Sequence, residues 1–356
     1  MLDIRIEKTA APRTKPDLDN PPGFGSDCFT DHMFLMNYTK ERGWHDPRIA
    51  AYGPVELHPS ALVLHYGQEL FEGMKAFKND AGVPLLFRPE RNALRFQDSS
   101  RRICIPEIPV NDFIQAVAAL VELDADWIPT APRTALYIRP VVFATQPSVG
   151  VRISDSYLFC IICLPIINAP LTTESKCWME SEYVRAVRGG TGDVKVGGNY
   201  TGTLLPSKQA KERGYQQVLF LDGQEGKYVE EMSSSNVYFV KNGVFITPSL
   251  EGSILPGITR DSMLSLCRSW GVPCEERRIS REELLQALRD GDLQECASIG
   301  TGGLMTPVGL IGCDEGDFKV GDGEVGPITK RLYDGMNAIQ RGQIVPPEGW
   351  IMALDS

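Results

Sequence analysis

The feature that most constrains this chain is a glycine-rich segment around a single lysine, residues 189–200, which reads Gly-Gly-Thr-Gly-Asp-Val-Lys-Val-Gly-Gly-Asn-Tyr. Glycine lets the backbone approach other groups closely and adopt conformations that side chains forbid. On such a crowded turn the amine of Lys195 can lose its proton and become a nucleophile. A glycine-rich segment taken alone is more often a flexible surface loop with a solvated lysine, so the interpretation depends on the rest of the chain.

Two phosphate-binding motifs do not fit this segment. A P-loop requires Gly-Lys followed by Ser or Thr, whereas Lys195 lies between two valines. A dinucleotide fingerprint requires a glycine three residues after Gly192, and Lys195 occupies that position. The pattern therefore favours a lysine that attacks an aldehyde, forming a Schiff base.

Composition indicates an ordinary globular protein of more than one domain. A chain of 356 residues exceeds the usual size of a single core, and 42% of its residues are hydrophobic. The net charge of −10, without a basic stripe, argues against a nucleic-acid partner. No apolar run reaches the roughly 18 residues of a membrane span. We expect neither nucleic acid nor membrane as a partner.

The N-terminal residues, the cysteines and the histidines argue against a secreted, a disulfide-stabilised or a metal-binding protein. The first seven residues lack a secretory or presequence pattern, which predicts a cytoplasmic protein. Nine scattered cysteines do not form a disulfide framework. Cys160 and Cys163 lie in an apolar strand pattern whose spacing places them on opposite faces. The four histidines lack metal-ligand spacing, so we expect no metal site.

Residues 165–173, rich in Pro, Asn and Thr, predict an interdomain linker. The predicted organisation is a small domain over 1–164, a linker over 165–176 and a large domain over 177–356. Asn242-Gly243 predicts a hairpin turn, and Ser280 with Glu283 predicts a helix capping box. The predicted strands are 84–87, 135–144, 157–164, 217–221, 235–240 and 244–247, and the predicted helices are 89–102, 111–123, one from about 256 to Gly271, one from Ser280, and 327–340.

Several motifs are distributed along most of the chain, from about residue 24 to 308. They are 29–33, 65–77, the lysine segment, Tyr137-Ile138-Arg139-Pro140, Tyr183-Val184-Arg185-Ala186, 254–260 and Gly300-Thr301-Gly302-Gly303. Together they resemble the branched-chain amino acid aminotransferases of class IV. The resemblance implies pyridoxal 5'-phosphate as cofactor and a homodimer. It also implies an α/β (α+β type) fold of two domains, fold type IV, with a small N-terminal α/β domain and a larger β-rich C-terminal domain.

The same resemblance assigns roles around the cofactor ring. Lys195 would bind the cofactor aldehyde and then move the proton, both of which require a neutral amine. Tyr200 would donate to the phenolic oxygen of the cofactor. Glu231 would lie against the ring nitrogen and favour its protonated form. Glu231 is chosen over Glu230 because Asn236 follows it by five residues, as in the family.

Four residues are implied as phosphate ligands. The backbone N–H groups of Ile258 and Thr259 lie at a predicted helix start, which attracts anions. Arg95, within Asn92-Ala93-Leu94-Arg95, and Thr301 match the side-chain donors of the family.

The resemblance also implies a substrate site. Tyr66 and the backbone amides near Gly302 and Gly303 would receive the substrate carboxylate. Phe71 and Tyr137 would line the side-chain pocket together with Phe24 or Phe29, some of them across a dimer. Ser234 stands where the family has a substrate-contacting threonine. Arg139 and Arg185 match family positions near the site, where they would orient their neighbours.

The predicted function is transamination between an aliphatic, branched-chain-like L-amino acid and 2-oxoglutarate. Ser234 and Gly302 are smaller than the family's residues, and one methylene of pocket space discriminates between substrates by only about 1–3 kcal/mol. A specialised relative that acts on a longer or unusual 2-oxo acid, as in secondary metabolism, is therefore the main alternative. An aminodeoxychorismate lyase-like enzyme and a non-catalytic binding protein are weaker alternatives.

Overall fold

The computed structural model describes residues 1–354 and divides them into two compact units. The first unit contains residues 1–168, 195–197 and those from 337 onward, and the second contains 169–194 and 198–336. Each unit combines one twisted sheet with helices, so the predicted two-domain α/β fold is confirmed. No helix among the described residues is long and apolar enough to cross a membrane.

The secondary structure follows most of the predicted bounds. The strands are β1 Arg5–Ile6, β2 His32–Thr39, β3 Gly43–Ala51, β4 Glu69–Phe71, β5 Met74–Lys78, β6 Pro84–Phe87, β7 Thr134–Ala144, β8 Ser156–Ile167, β9 Ser175–Met179, β10 Gln217–Leu221, β11 Val229–Met232, β12 Asn236–Lys241, β13 Val244–Thr247, β14 Cys274–Glu276, β15 Leu293–Gly300, β16 Leu304–Cys313, β17 Gly316–Lys319 and β18 Ile351–Ala353. The helices are α1 Leu62–Tyr66, α2 Pro89–Arg102, α3 Val110–Leu123, α4 Gly198–Thr201, α5 Leu204–Glu212, α6 Ile258–Ser269, α7 Arg281–Asp290 and α8 Pro327–Gln340.

The first unit is built on a sheet of order β1-β3-β2-β8-β7-β5-β6-β18, with β4 also paired to β7. Strands β7 and β8 are largely apolar, and most of their residues are buried. Helices α2 and α3 pack on this sheet through buried phenylalanines. The ring of Phe159 on β8 lies 5.5 Å from that of Phe96 and 5.9 Å from that of Phe113.

The predicted linker over 165–176 is shorter in the structure, because strand β8 continues through Pro165 to Ile167 and β9 begins at Ser175. Proline removes a backbone donor and is tolerated where a strand has only one partner. Strand β2 pairs with β8 only up to Ile161, so at Pro165 strand β8 is paired with β7 alone. Residues 168–174 are left between the two strands.

The second unit is built on a sheet of order β11-β10-β9-β16-β15-β12-β13-β14, with β17 paired to β16. The predicted hairpin turn is confirmed, since Asn242 and Gly243 both have positive φ, at 52° and 76°. The predicted cap of α7 is also confirmed, because Ser280 Oγ accepts the Glu283 N–H at 3.0 Å. The side chain of Glu283 does not close the box and instead binds Arg277.

Residues from 337 onward group with the first unit, although the sequence assigned them to the second. The physical reason is a strand pairing between elements far apart in the chain. Strand β18 pairs antiparallel with β6, and the N–H of Arg88 donates to the carbonyl of Trp350 at 2.7 Å. Such a pairing leaves no local signal in the sequence.

Candidate active site

The segment Lys195–Gly197 is held by three hydrogen bonds within the first unit. The Lys195 N–H donates to Ser99 Oγ at 3.0 Å, and the Lys195 carbonyl accepts the Phe71 N–H at 3.1 Å. The Gly197 N–H donates to Glu69 Oε1 at 2.6 Å. A β-carbon on Gly197 would lie 1.9 Å from that same carboxylate oxygen, so a larger residue would displace the Glu69 side chain and break this hydrogen bond. The lysine therefore stands on a fixed backbone and not on a flexible loop.

The glycine-rich residues before the lysine are fixed within the second unit. Asn199 Nδ2 donates to the carbonyls of Thr191 and Val194 at 2.7 and 2.8 Å, and its Oδ1 accepts the Thr191 hydroxyl at 2.7 Å. A β-carbon on Gly192 would lie 2.1 Å from the carbonyl oxygen of Ser253. Glycine at 192 thus permits the close backbone approach that the sequence suggested.

The side chain of Lys195 has the properties of a reactive amine. Its Nζ lies over the ring of Phe71, 4.8 Å from the centroid. Burial, followed by the positive charge of Arg95, lowers the pKa of Lys195 to about 8, although Glu72 acts in the opposite direction. A substantial fraction of the amine is therefore neutral near neutral pH, as nucleophilic attack on a carbonyl requires.

Arg95 lies on α2 with its guanidinium against the carboxylate of Glu72. Nε and Nη2 of Arg95 donate to Oε1 and Oε2 of Glu72 at 2.7 and 2.8 Å. Burial raises the pKa of the Glu72 carboxyl, but Arg95, Lys195 and Asn92 together hold it below its usual value. Glu72 lies within the motif 65–77, in which the resemblance assigned no role to an acid. Its position inside that motif is a sequence signal, but its complete burial is visible only in the structure.

The predicted aromatic residues of the substrate pocket lie close together in the first unit. The rings of Phe24 and Tyr137 are 4.4 Å apart and nearly perpendicular. The guanidinium of Arg139 lies 4.6 Å from the ring of Phe71 and donates to the Tyr137 hydroxyl at 2.8 Å. Tyr66 differs from these aromatic residues because it is exposed on α1. Its hydroxyl donates to the Val149 carbonyl.

Glu231 is held firmly in the second unit. Its Oε1 lies 2.7 Å from Nη2 of Arg185 and accepts the Leu255 N–H at 2.8 Å. Its Oε2 accepts Nδ2 of Asn236 at 3.3 Å. The neighbouring Glu230 binds the Ser253 hydroxyl instead. These contacts orient the carboxylate of Glu231 and pair it with a guanidinium, and a carboxylate favours the protonated form of a ring nitrogen beside it.

The other predicted residues of the second unit lie at the ends of elements. Ile258 and Thr259 are the first two residues of α6, where N–H groups have no acceptor within the helix. Thr301, Gly302 and Gly303 form the turn between β15 and β16. The remaining two are Ser234, exposed in the turn between β11 and β12, and Tyr200, on the short helix α4.

The candidate residues therefore form two sets. The first unit carries Arg95, Lys195, Tyr66, Phe71 and Tyr137, and the second carries Tyr200, Glu231, Ser234, Ile258, Thr259, Thr301, Gly302 and Gly303. The amine and guanidinium of the first set suit an aldehyde that carries a phosphate. The carboxylate and the helix N-terminus of the second set suit a protonated ring nitrogen and a phosphate group. The residues present fit pyridoxal 5'-phosphate.

Two curated proteins are similar to this chain over nearly its full length. Branched-chain-amino-acid aminotransferase 2 of Bacillus subtilis (strain 168) is 44% identical over 349 residues, 98% of this chain and 96% of that protein. Branched-chain-amino-acid transaminase 1 of the same organism is 46% identical over 354 residues, 99% of each chain.

Solved structures share the fold. The branched-chain amino acid aminotransferase of Escherichia coli superposes with a TM-score of 0.74 at 26% identity, over 90% of this chain and 98% of that one. That of Thermobaculum terrenum, solved in its PLP form, gives 0.74 at 25% identity over 95% and 100%. The profile of the amino-transferase class IV family matches residues 69–311. Together with the site geometry, these matches show that the chain is an aminotransferase belonging to class IV.

Proposed function

We propose that this enzyme uses pyridoxal 5'-phosphate to transfer an amino group between an aliphatic L-amino acid and 2-oxoglutarate. The observation that carries the proposal is the state of Lys195, a lysine on a fixed backbone whose pKa is lowered by burial to about 8. Relatives named as branched-chain aminotransferases, which match the chain from end to end, support the substrate class.

In the first unit, Lys195 would hold the cofactor aldehyde and Arg95 its phosphate. In the second unit, the N–H groups of Ile258 and Thr259, with the hydroxyl of Thr301, would hold the phosphate. Glu231 would lie against the ring nitrogen of the cofactor, and Tyr200 would donate to its phenolic oxygen. When bound, the cofactor supplies an electron-withdrawing ring that acidifies the α-carbon of the substrate.

Lys195 would also act as the proton carrier. Its amine would accept the proton that leaves the substrate α-carbon and would hold it at Nζ until it is returned on the cofactor side. General bases work best when their pKa lies near the operating pH. A pKa of about 8 meets this condition, whereas an ordinary lysine at about 10.4 does not.

The substrate would lie against the aromatic residues Phe71 and Tyr137, which favour an aliphatic side chain by apolar contact. Tyr66 and the amides of Gly302 and Gly303 would receive its carboxylate. Ser234, exposed in its turn, would contribute a small polar contact. We further infer that the chain acts as a homodimer, supported by the apolar side chains that the first unit exposes at Leu64, Tyr66, Val149, Val151 and Ile153.

A panel of amino donors tests the substrate class. Purified enzyme with the cofactor is supplied with 2-oxoglutarate and L-leucine, L-isoleucine, L-valine or straight-chain 2-amino acids of increasing length, and glutamate formation is followed. We expect the branched-chain donors to give the highest kcat/KM. A maximum at a long-chain donor would instead support the specialised relative, and absence of transfer with every donor would contradict the proposal.

A further inference from the structure

Glu72 is a fully buried carboxylate directly after strand β4. Its Oε2 accepts the N–H of Gly73 at 3.1 Å and Nδ2 of Asn92 at 2.8 Å. Nε and Nη2 of Arg95 complete the set at 2.7 and 2.8 Å. Four donors thus converge on one carboxylate, which satisfies the requirement that a buried charge be paired and hydrogen-bonded.

The contact between Glu72 and Arg95 is bidentate. Two parallel N–H···O bonds fix the plane of a guanidinium as well as its position, which a single bond cannot do. The side chain of Arg95 is itself nearly fully buried. A guanidinium has five N–H donors, and these two bonds use one edge of it. One arginine can therefore bind Glu72 and a phosphate together.

One face of helix α2 connects this pair to the lysine segment. Asn92, Arg95 and Ser99 are spaced by three and four residues, so they project from the same face of the helix. The first two bind Glu72, and Ser99 Oγ accepts the N–H of Lys195 at 3.0 Å. The phosphate-ligand candidate and the reactive lysine are thus attached to a common rigid element.

We propose that Glu72 is a positioning residue that fixes the guanidinium of Arg95 for the cofactor phosphate, an inference that rests on the proposed function. Glu72 touches neither cofactor nor substrate in this role and acts through Arg95. A carboxylate that merely stabilised the fold would affect every ligand of the site equally. A positioning carboxylate affects the phosphate-bearing ligand selectively.

The test compares pyridoxal 5'-phosphate with pyridoxal, which lacks the phosphate. Equilibrium dissociation constants of both are measured for the full-length wild type and for Glu72→Gln. Glutamine keeps the shape of the side chain but replaces one carboxylate oxygen by an NH2 group, which cannot accept the hydrogen bonds of Arg95 and Asn92. We expect the preference for the phosphorylated ligand to fall about 10–100-fold, the range typical of removing a group that orients a metal ligand. The affinity for pyridoxal should be nearly unchanged.

Asp124→Asn is the matched control. Asp124 is another buried carboxylate of the first unit, and it binds His32 rather than Arg95. We expect this variant to keep the wild-type preference. Glu72→Asp serves as the second variant if Glu72→Gln does not fold. It keeps the charge but shortens the side chain, so it should also reduce the preference.

Three results would overturn the inference. The first is a folded Glu72→Gln protein with an unchanged preference, and the second is an equal loss for both ligands. The third is tighter binding of the phosphorylated ligand, which would mean that Glu72 competes for Arg95. A wild type that prefers the phosphorylated ligand leaves the proposed function standing in all three cases, whereas a wild type that binds neither ligand would contradict both proposals.

Discussion

Nη2 of Arg185 lies 2.7 Å from Oε1 of Glu231, and both side chains are almost fully buried. Arg185 also donates to the Gly192 carbonyl at 3.1 Å, so it connects the acid to the glycine-rich segment within the second unit. Arg185 was expected to orient its neighbours, and this pairing shows that Glu231 is one of them. A buried charge needs a partner of opposite sign, which each of these two side chains gives the other.

Replacing Arg185 with methionine should impair both stability and catalysis. Removing one partner of a buried ion pair costs about 3–5 kcal/mol, because the remaining charge is uncompensated. Glu231 would then favour its protonated form and support the ring nitrogen poorly. Equilibrium unfolding and the rate of the half-reaction with an amino donor measure the two effects. Arg188→Met is the control, because its pair with Glu251 is exposed and should contribute little. Equal effects of both variants would contradict this account.

The reactivity of Lys195 should depend on pH with a midpoint about two units below that of an ordinary lysine. Burial and Arg95 lower its pKa to about 8, so the neutral, reactive fraction rises as pH increases through 8. Exposed lysines titrate near 10.4. The rate of Lys195 acylation in the cofactor-free protein, followed by peptide mass spectrometry from pH 6 to 11, gives the midpoint. A midpoint at the ordinary value would show that the amine is not activated.

Lys75 should make stability depend on pH. This lysine is buried on β5, with its Nζ 3.0 Å from Asn168 Oδ1, and burial lowers its pKa to about 7. Between about pH 7 and 10 the unfolded chain binds this proton and the folded chain does not, so the free energy of unfolding rises with pH. The contribution is therefore complete above about pH 10, decreases as pH falls from 10 to 7, and is absent below about pH 7.

In the variant Lys75→Met, the free energy of unfolding should not show this rise between about pH 7 and 10. Unfolding in urea at several pH values measures it. Lys208→Met is the control, because Lys208 is exposed on α5 and its variant should follow the wild type at every pH. A constant difference between the wild type and Lys75→Met across the range would contradict the prediction.

Asn199 should be essential for the order of the glycine-rich segment. Its amide binds the Thr191 and Val194 carbonyls and the Thr191 hydroxyl. Asn199→Ala leaves these groups without their partner, which costs about 1–3 kcal/mol for each buried unsatisfied group. We expect a lower free energy of unfolding and faster proteolysis within residues 189–198. Wild-type protease resistance in a folded Asn199→Ala protein would show that the segment is fixed by other contacts.

Local patterns in the sequence predicted most elements of the fold. Proline at the first turn of α2 and Asn242-Gly243 between β12 and β13 act over a few residues, so the sequence alone reveals them. The pairing of β18 with β6 and the continuation of β8 through Pro165 depend on partners distant in the chain. No local pattern encodes them.

The candidate site also contains residues that local patterns predict and residues whose importance depends on distant contacts. The roles of the lysine segment and Glu231 were predicted from spacing and family resemblance. Glu72, Asn92 and Ser99 were missed because their importance lies in what they contact, namely Arg95 and the backbone of Lys195. A polar stripe on α2 is visible in the sequence, but an exposed stripe would look the same. Only burial distinguishes the two.

The central claim, that Lys195 performs transamination, is tested most directly by the visible absorption of the protein with pyridoxal 5'-phosphate. The wild type should acquire a visible band that L-leucine bleaches and 2-oxoglutarate restores. Lys195→Ala should show no such cycle, whereas Lys208→Ala should behave as the wild type. A bleaching cycle that persists in Lys195→Ala, or a wild type whose band does not respond to L-leucine or any other aliphatic amino acid, would contradict the account.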